Sequence, residues 1–368
     1  MIYLDYAANT PVDNEVLDIY NDVTRKYIAN PNSNHPLGIM AKKLIDQSSS
    51  IVANYFNTDK ESIIYTSGSS ESNNLVIKGI AERYKTRGNH IIISTLEHSS
   101  VLAPVNYLSN LGFDVTVIGI TSEGLIDIEE LKKSITDKTI LVSMCAVDSE
   151  LGTIQPIEEI ANIVSEYPNC IFHTDATQAI GKVNIDYSNV DFITFAPHKF
   201  YGLNGFGILI NRNNIKINPI IHGGKSTTIY RSGTPVTASV VALSKALQLA
   251  MDNLDVRFKY ISELNTLLRE ELSMINKIHI NSPLNSIPNT LNISFIGISN
   301  KEIIKVLEEH EIYVSTTTAC SIGNMPSKAV MAITNNESLA SNTMRISMSH
   351  LTTKEEIQEF LDTIKKCF

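Results

Sequence analysis

Between residues 60 and 212, short apolar runs rich in β-branched residues alternate with longer stretches whose apolar positions recur three and four apart. The short runs predict strands at 62–65, 90–94, 114–118, 140–146, 170–174, 191–195 and 207–210. Several are apolar almost throughout, the pattern of strands covered on both faces of a mostly parallel sheet. The stretches between them, 72–87, 99–111, 128–134 and 156–167, predict helices with one apolar stripe. Such alternation predicts a three-layer α/β domain with right-handed crossovers. A helical pattern then runs over 238–275. The remainder reads as strand (290–295), helix (300–310), loop (316–326), strand (343–348) and helix (354–366). We therefore expect a large domain over residues 13–255 and a small α+β domain made of residues 1–12 and 256–368.

Composition narrows the classes. A chain of 368 residues, 43% hydrophobic and 19% charged, suits a globular fold with more than one core. Its net charge of −9, with no dense Lys/Arg run, argues against direct binding of nucleic acid, which needs clustered positive charge. No apolar stretch approaches the roughly 20 residues that span a bilayer, so no membrane association is expected. The opening Met1-Ile2-Tyr3-Leu4-Asp5 lacks a signal-peptide layout. Four irregularly spaced cysteines (Cys145, Cys170, Cys320 and Cys367) suggest neither a disulfide framework nor a metal site. The expected location is the cytoplasm.

Candidate chemistry gathers at strand ends. Lys199 lies in Thr194-Phe-Ala-Pro-His-Lys-Phe-Tyr-Gly202, just after a predicted strand. An amine held there is desolvated, which disfavours the ammonium and makes it a nucleophile toward an aldehyde. The plain alternative is a surface lysine in a loop. Asp175, in His173-Thr-Asp-Ala-Thr-Gln178, also ends a strand. Its carboxylate suits the protonated ring nitrogen of pyridoxal 5′-phosphate, which must stay protonated to act as an electron sink. Asp175 equally suits a helix N-cap, and Gln178 suits the same cofactor's phenolic oxygen. Gly68, Ser69 and Ser70 open a helix, where backbone N–H groups and hydroxyls cradle a phosphate. His98 suits stacking on the cofactor ring and proton transfer near neutrality. Cys320 stands apart from the other cysteines, in the polar stretch 315–327, and looks available rather than packed.

These segments, in this order and nearly end to end, resemble the class V pyridoxal-phosphate-dependent aminotransferase superfamily and, within it, the cysteine desulfurases. The matching runs include Tyr3-Leu-Asp-Tyr-Ala-Ala-Asn-Thr-Pro11, Asn30-Pro-Asn-Ser-Asn-His35, Thr66-Ser-Gly-Ser-Ser-Glu-Ser-Asn-Asn-Leu75, Glu97-His98, Glu150-Leu-Gly-Thr-Ile-Gln155, His198-Lys199, His222-Gly-Gly224 and Arg231-Ser-Gly-Thr234. The resemblance implies a type I pyridoxal-phosphate transferase fold with a seven-stranded, mostly parallel sheet, and a homodimer with its active sites at the interface. It implies that Lys199 carries the cofactor and that His198 and Ser70 contact the phosphate, with Thr234 reaching the neighbouring subunit's site. It further implies that Asp148 lies by the cofactor and that Arg345 and Asn9 bind the substrate. A guanidinium's planar fork suits an α-carboxylate. The stretch around Cys320 resembles the longer-loop desulfurases. The implied reaction removes sulfur from L-cysteine, giving L-alanine and a persulfide on Cys320. That sulfur passes to an acceptor protein or a thiol reductant, for iron–sulfur assembly or thiolation of a cofactor or tRNA.

The chain departs from that pattern in several places. Asp148-Ser149 stands where Asn-Asn is usual, and a carboxylate there faces a partly anionic phenolic oxygen unless it is protonated or turned away. Ala196 replaces a serine, Lys225 a glycine, Ser226 and Thr227 stand in for a Glu or Gln, and Thr317-Thr318 replaces Gly-Ser. A selenocysteine lyase or another class V activity, and a scaffold that binds the cofactor with little chemistry, stay open as alternatives.

Overall fold

The structure, a computed structural model, describes residues 1–316 and 326–368. The chain begins with β1 (Ile2–Tyr3), α1 (Asn14–Lys26) and α2 (Pro36–Tyr55), none of which the pattern of apolar positions had singled out. Then follow β2 (Ile63–Thr66), α3 (Ser69–Tyr84), β3 (His90–Ser94), α4 (Ser99–Ser109), β4 (Asp114–Ile118), α5 (Ile128–Ser134), β5 (Thr139–Cys145), α6 (Ile157–Ser165), β6 (Ile171–Asp175), β7 (Phe192–Phe195) and β8 (Gly207–Asn211). The seven strands β2 to β8 form one sheet in the order β2-β8-β7-β6-β5-β3-β4. Every pairing is parallel except the two made by β8.

Successive strand residues point to opposite faces, and both faces are covered. Ile91, Ile93, Leu141 and Leu209 pack with α3 and α4 on one side. Ile92, Val142, Phe172 and Ile193 pack on the other with α6 and with α7 (Thr237–Asp252). Edge strand β4 alone keeps exposed positions.

The single helix expected over 238–275 is two helices. Helix α7 stops at Asp252, and α8 (Leu254–Ser273) restarts after Asn253, whose φ of −106° and ψ of 8° leave the helical region. The break redirects the chain between two cores. Leu243, Leu247 and Ala250 of α7 join the sheet core. Ile261, Leu264, Leu268 and Leu272 of α8 join a separate cluster with Phe295, Ile346 and Phe360.

That second cluster is built on β9 (Ile278–Ile280), β10 (Thr290–Phe295), α9 (Asn300–Glu309), β11 (Ile312–Tyr313), α10 (Lys328–Thr334), α11 (Glu337–Ser341), β12 (Thr343–Ser347) and α12 (Lys354–Lys365). Strands β12, β10 and β9 form an antiparallel sheet, while β1 pairs in parallel with β11. Ile2 and Leu4 are buried in this cluster. Residues 1–8 thereby leave the large sheet's side of the sequence and lie beside residues 311–347. Most of the expected loop over 316–326, with Cys320 in it, lies outside the described residues. No helix among those described is long and apolar enough to cross a membrane.

Candidate active site

Strands β2, β3, β5, β6 and β7 run in one direction, so their carboxyl ends share an edge, where ligands of open α/β sheets bind. A cavity of about 330 Å³ opens there. Gly68, Ser69 and Ser70 line it from the loop after β2, and Leu96 and His98 from the loop after β3. Val147 and Ser149 follow β5, Asp175 and Gln178 end β6, and His198 and Lys199 follow β7. Ala7, Ala8 and Arg345 close it from the second cluster's side.

Lys199 ends a single turn of 3-10 helix, Pro197–Lys199. Its Nζ donates to the carbonyl oxygens of Ala7 (3.0 Å) and Ala8 (2.6 Å). Gln178 Nε2 donates to the same Ala7 oxygen (3.0 Å), and Gln178 Oε1 accepts from the buried Lys182 Nζ at 2.5 Å. Burial first, then the positive charges of Lys199 and Arg345, pull the Lys182 ammonium down to about 7. His198 is likewise pulled down to about 4, by burial and then by Lys199 and Lys182.

Asp175 Oδ1 accepts from the Thr177 N–H (3.0 Å) and Oδ2 from Asn73 Nδ2 (2.7 Å). At the start of α3, Ser69 Oγ meets Thr177 Oγ1 at 2.8 Å, tying the helix's first turn to the loop after Asp175. Gly207 allows this cradle to sit against β8, since a Cβ there would lie 2.5 Å from the Gly68 carbonyl carbon. Glu71 receives Arg231 Nε (2.8 Å) and the Ser67 N–H (2.8 Å). Burial works to raise its carboxyl, but these hydrogen bonds outweigh it and hold the group below the usual range.

Arg345 is 2% exposed. Its Nη2 donates to Asp5 Oδ1 (2.8 Å) and its Nη1 to the Ser149 carbonyl (3.0 Å). Its Nε is buried and has no partner among the described residues. A guanidinium that lines the cavity with two of its five N–H donors engaged among the described residues fits an incoming carboxylate.

Three expected site residues do not line the cavity. Asp148 turns its carboxylate into its own loop, accepting from the N–H groups of Glu150 (3.0 Å) and Leu151 (2.5 Å). Burial, then repulsion from Glu150, raises it to about 7. Asn9 and Thr234 are exposed. Cys320 lies outside the described residues. Cys145, read as a core residue, is buried and also borders the cavity, and burial pushes its thiol up.

The structure also brings in residues that sequence reasoning assigned no role: the Ala7 and Ala8 carbonyls, Asp5, Lys182, Ser100 and Asn73. Asn73 carried a signal. It holds the position of an apolar residue on α3, with Val76, Ile77 and Ile80 three, four and seven residues on, and is fully buried.

The donor set fits pyridoxal phosphate: a helix N-terminus with serine hydroxyls for the phosphate, a carboxylate for the ring nitrogen, and an amine between them. Comparisons with known proteins agree. The sequence pattern of the class-V aminotransferases matches residues 2–360. The chain is 37% identical over 370 residues to the cysteine desulfurase IscS of Dictyoglomus turgidum, covering 99% of this chain and 94% of that protein. Its fold is similar to that of a solved NifS-like protein, with a TM-score of 0.93 at 34% identity, covering 100% of this chain and 98% of the other. SspA, solved in complex with cysteine, is similar at 32% identity and a TM-score of 0.84, covering 96% of this chain and 100% of that one.

Proposed function

The chain belongs to the class-V aminotransferase family and, within it, to the cysteine desulfurases, and from that premise we propose how its residues perform the reaction. It is a pyridoxal-phosphate-dependent enzyme that takes sulfur from L-cysteine. The observation that carries the assignment of roles is that the Lys199 amine, the Asp175 carboxylate and the start of α3 face one cavity from three loops. When bound, the cofactor supplies an aldehyde that condenses with amines and a protonated ring that accepts the electron pair released at the substrate's Cα.

The residues then divide the work. Gly68, Ser69 and Ser70, with His198, hold the phosphate at the helix N-terminus, and the partner subunit's Thr234 completes that hold in a homodimer. Asp175 would keep the ring nitrogen's proton in place, and Gln178 would reach the phenolic oxygen. Asp148, engaged with its own turn, does not line the cavity, so its carboxylate would not face that oxygen. Arg345, aided by Asn9, takes the substrate carboxylate. Lys199 removes the Cα proton, and with His98 returns protons once sulfur has left. The Cys320 thiolate attacks the substrate sulfur: an S–S bond forms, the C–S bond breaks, and the electron pair left on carbon is quenched by protons as L-alanine.

The persulfide on Cys320 passes to a sulfur-acceptor protein or a thiol reductant, in the cytoplasm. The two apolar cores support a division into a large domain, 13–255, and a small one made of 1–12 and 256–368. Protein supplied with pyridoxal phosphate is expected to absorb in the visible, and borohydride to fix the cofactor on Lys199 by mass spectrometry. Alanine and sulfide should form from L-cysteine with dithiothreitol, and Cys320→Ala should lose sulfide release while keeping the absorbance. A colourless protein, or a Cys320→Ala variant releasing sulfide at the wild-type rate, would overturn the assignment.

A further inference from the structure

Behind the cavity, a short chain of side chains joins Asp175 to His98. Asn73 Nδ2 reaches Asp175 Oδ2 (2.7 Å) and Ser100 Oγ (2.9 Å), and Ser100 Oγ lies 2.8 Å from His98 Nδ1. Asn73 is fully buried, Ser100 nearly so, and Asn73 Oδ1 has no partner among the described residues. The direction of each hydrogen bond follows from the chemistry. A carboxylate oxygen offers only lone pairs, so the amide must turn its NH2 toward Asp175. The same NH2 carries a second hydrogen, which points at Ser100 Oγ. That hydroxyl has a single proton, and with Asn73 donating to its oxygen the proton goes to His98 Nδ1. The Ser100 backbone N–H also donates to Nδ1, at 3.1 Å.

We propose that Asn73 and Ser100 are positioning residues that fix the tautomer of His98, leaving Nδ1 bare and the ring's one proton on Nε2. The consequence is chemical. With both donors spent on Nδ1, neutral His98 offers the reaction a proton donor at Nε2; that nitrogen has no lone pair free to take a proton, and a cation forms only when Nδ1 is protonated. The charged groups that face the ring are Asp175, which favours that cation, and Lys199, which opposes it. Burial is the largest influence and keeps the imidazole neutral to lower pH than usual. Asp175 would thereby act twice, at the cofactor's ring nitrogen and, through two side chains, on His98. The inference rests on the proposed role of His98 but concerns the protein's own hydrogen bonds.

The experiment is nitrogen-15 NMR of the full-length protein with labelled histidine, with His98 assigned by its absence in His98→Gln. The shifts of the two ring nitrogens report which one carries the proton. In the wild type, Nε2–H is expected to exceed Nδ1–H by about tenfold or more, the scale of two hydrogen bonds to one nitrogen. Asn73→Leu and Ser100→Ala should each lower that ratio several-fold, the double variant no further than the stronger single one, and Ser100→Thr should restore it. Ser100→Ala removes one acceptor of Asn73 but keeps its hydrogen bond to Asp175, so it decides the matter if Asn73→Leu fails to fold. A wild-type proton on Nδ1, or a ratio unmoved in Ser100→Ala, overturns the proposal. Failure of borohydride to fix pyridoxal phosphate on Lys199 would instead overturn the functional assignment and leave the tautomer measurement standing.

Discussion

Glu97, the neighbour of His98, offers a test of how burial sets protonation beside the site. It is 5% exposed, and Oε1 accepts from Ser94 Oγ (2.6 Å) and the Cys145 N–H (2.8 Å), while Oε2 has no partner among the described residues. Burial dominates, those hydrogen bonds oppose it, and Asp175 and Asp148 add repulsion, so the carboxyl rises from 4.5 to about 8. In the unfolded chain Glu97 loses its proton near 4.5. The folded protein keeps it to about 8, binds more protons across that window, and so loses stability as pH rises through it. At about 1.4 kcal/mol per pH unit the effect is capped near about 5 kcal/mol. Glu97→Gln keeps the shape and the Oε1 acceptor but never ionises. Melting temperatures of both proteins from pH 5 to 8.5 are the assay. The variant's advantage should grow with pH, reaching roughly 5 °C for a chain of this size. A gap that stays constant across the range would refute the reasoning, because Asp148 and the other titrating groups cancel in the difference.

Lys182→Met tests the opposite case. The folded ammonium releases its proton near 7 and the unfolded one near 10.5, so the wild type gains stability as pH rises between them. The variant should melt higher than the wild type at pH 6.5 and lose that advantage by pH 9.5, which thermal scans at the two values check. Arg345→Lys loses the planar fork and leaves Asp5 half-paired, and should raise KM for L-cysteine by about tenfold or more with a smaller loss of kcat, measured as alanine formed. Gly207→Ala drives a methyl group against the Gly68 carbonyl. It should cost on the order of 2 kcal/mol of stability and weaken pyridoxal phosphate uptake, read by absorbance titration.

The strands of the large sheet were legible because all but edge strand β4 are buried on both faces and announce themselves as apolar runs. Helices α1 and α2 did not, since each buries only one side and exposed apolar residues such as Leu17, Leu37 and Met40 blur the stripe. The break at Asn253 was hidden by a pattern that stays helical on both sides, and only the existence of two cores explains it. At the site, Lys199, Asp175, Gln178 and His98 were readable because each follows a strand end. Arg345's partner Asp5 was not, because the two lie 340 positions apart and only the fold joins them. The turning of Asp148 into its own loop was equally invisible, being a rotamer choice set by the N–H groups of Glu150 and Leu151.

The docking of residues 1–8 onto the second cluster has a consequence for biosynthesis. Ile2 and Leu4 donate their N–H groups to Glu311 and Tyr313, and the Ala7 N–H donates to Ser347 Oγ at 2.9 Å. A ribosome adding about 5–20 residues per second makes Ala7 roughly 20–70 s before Ser347. Once residue 211 is made the large sheet can assemble, and Gln178 can meet the Ala7 carbonyl, but the segment that receives the Lys199 amine still lacks its ties to residues 311–347. The nascent chain therefore acquires Lys199 before the part of its surroundings that residues 311–347 supply. A ribosome stalled short of residue 347 leaves a folded sheet with an open, unfinished pocket, so competence for chemistry marks a polypeptide that has been translated through that point.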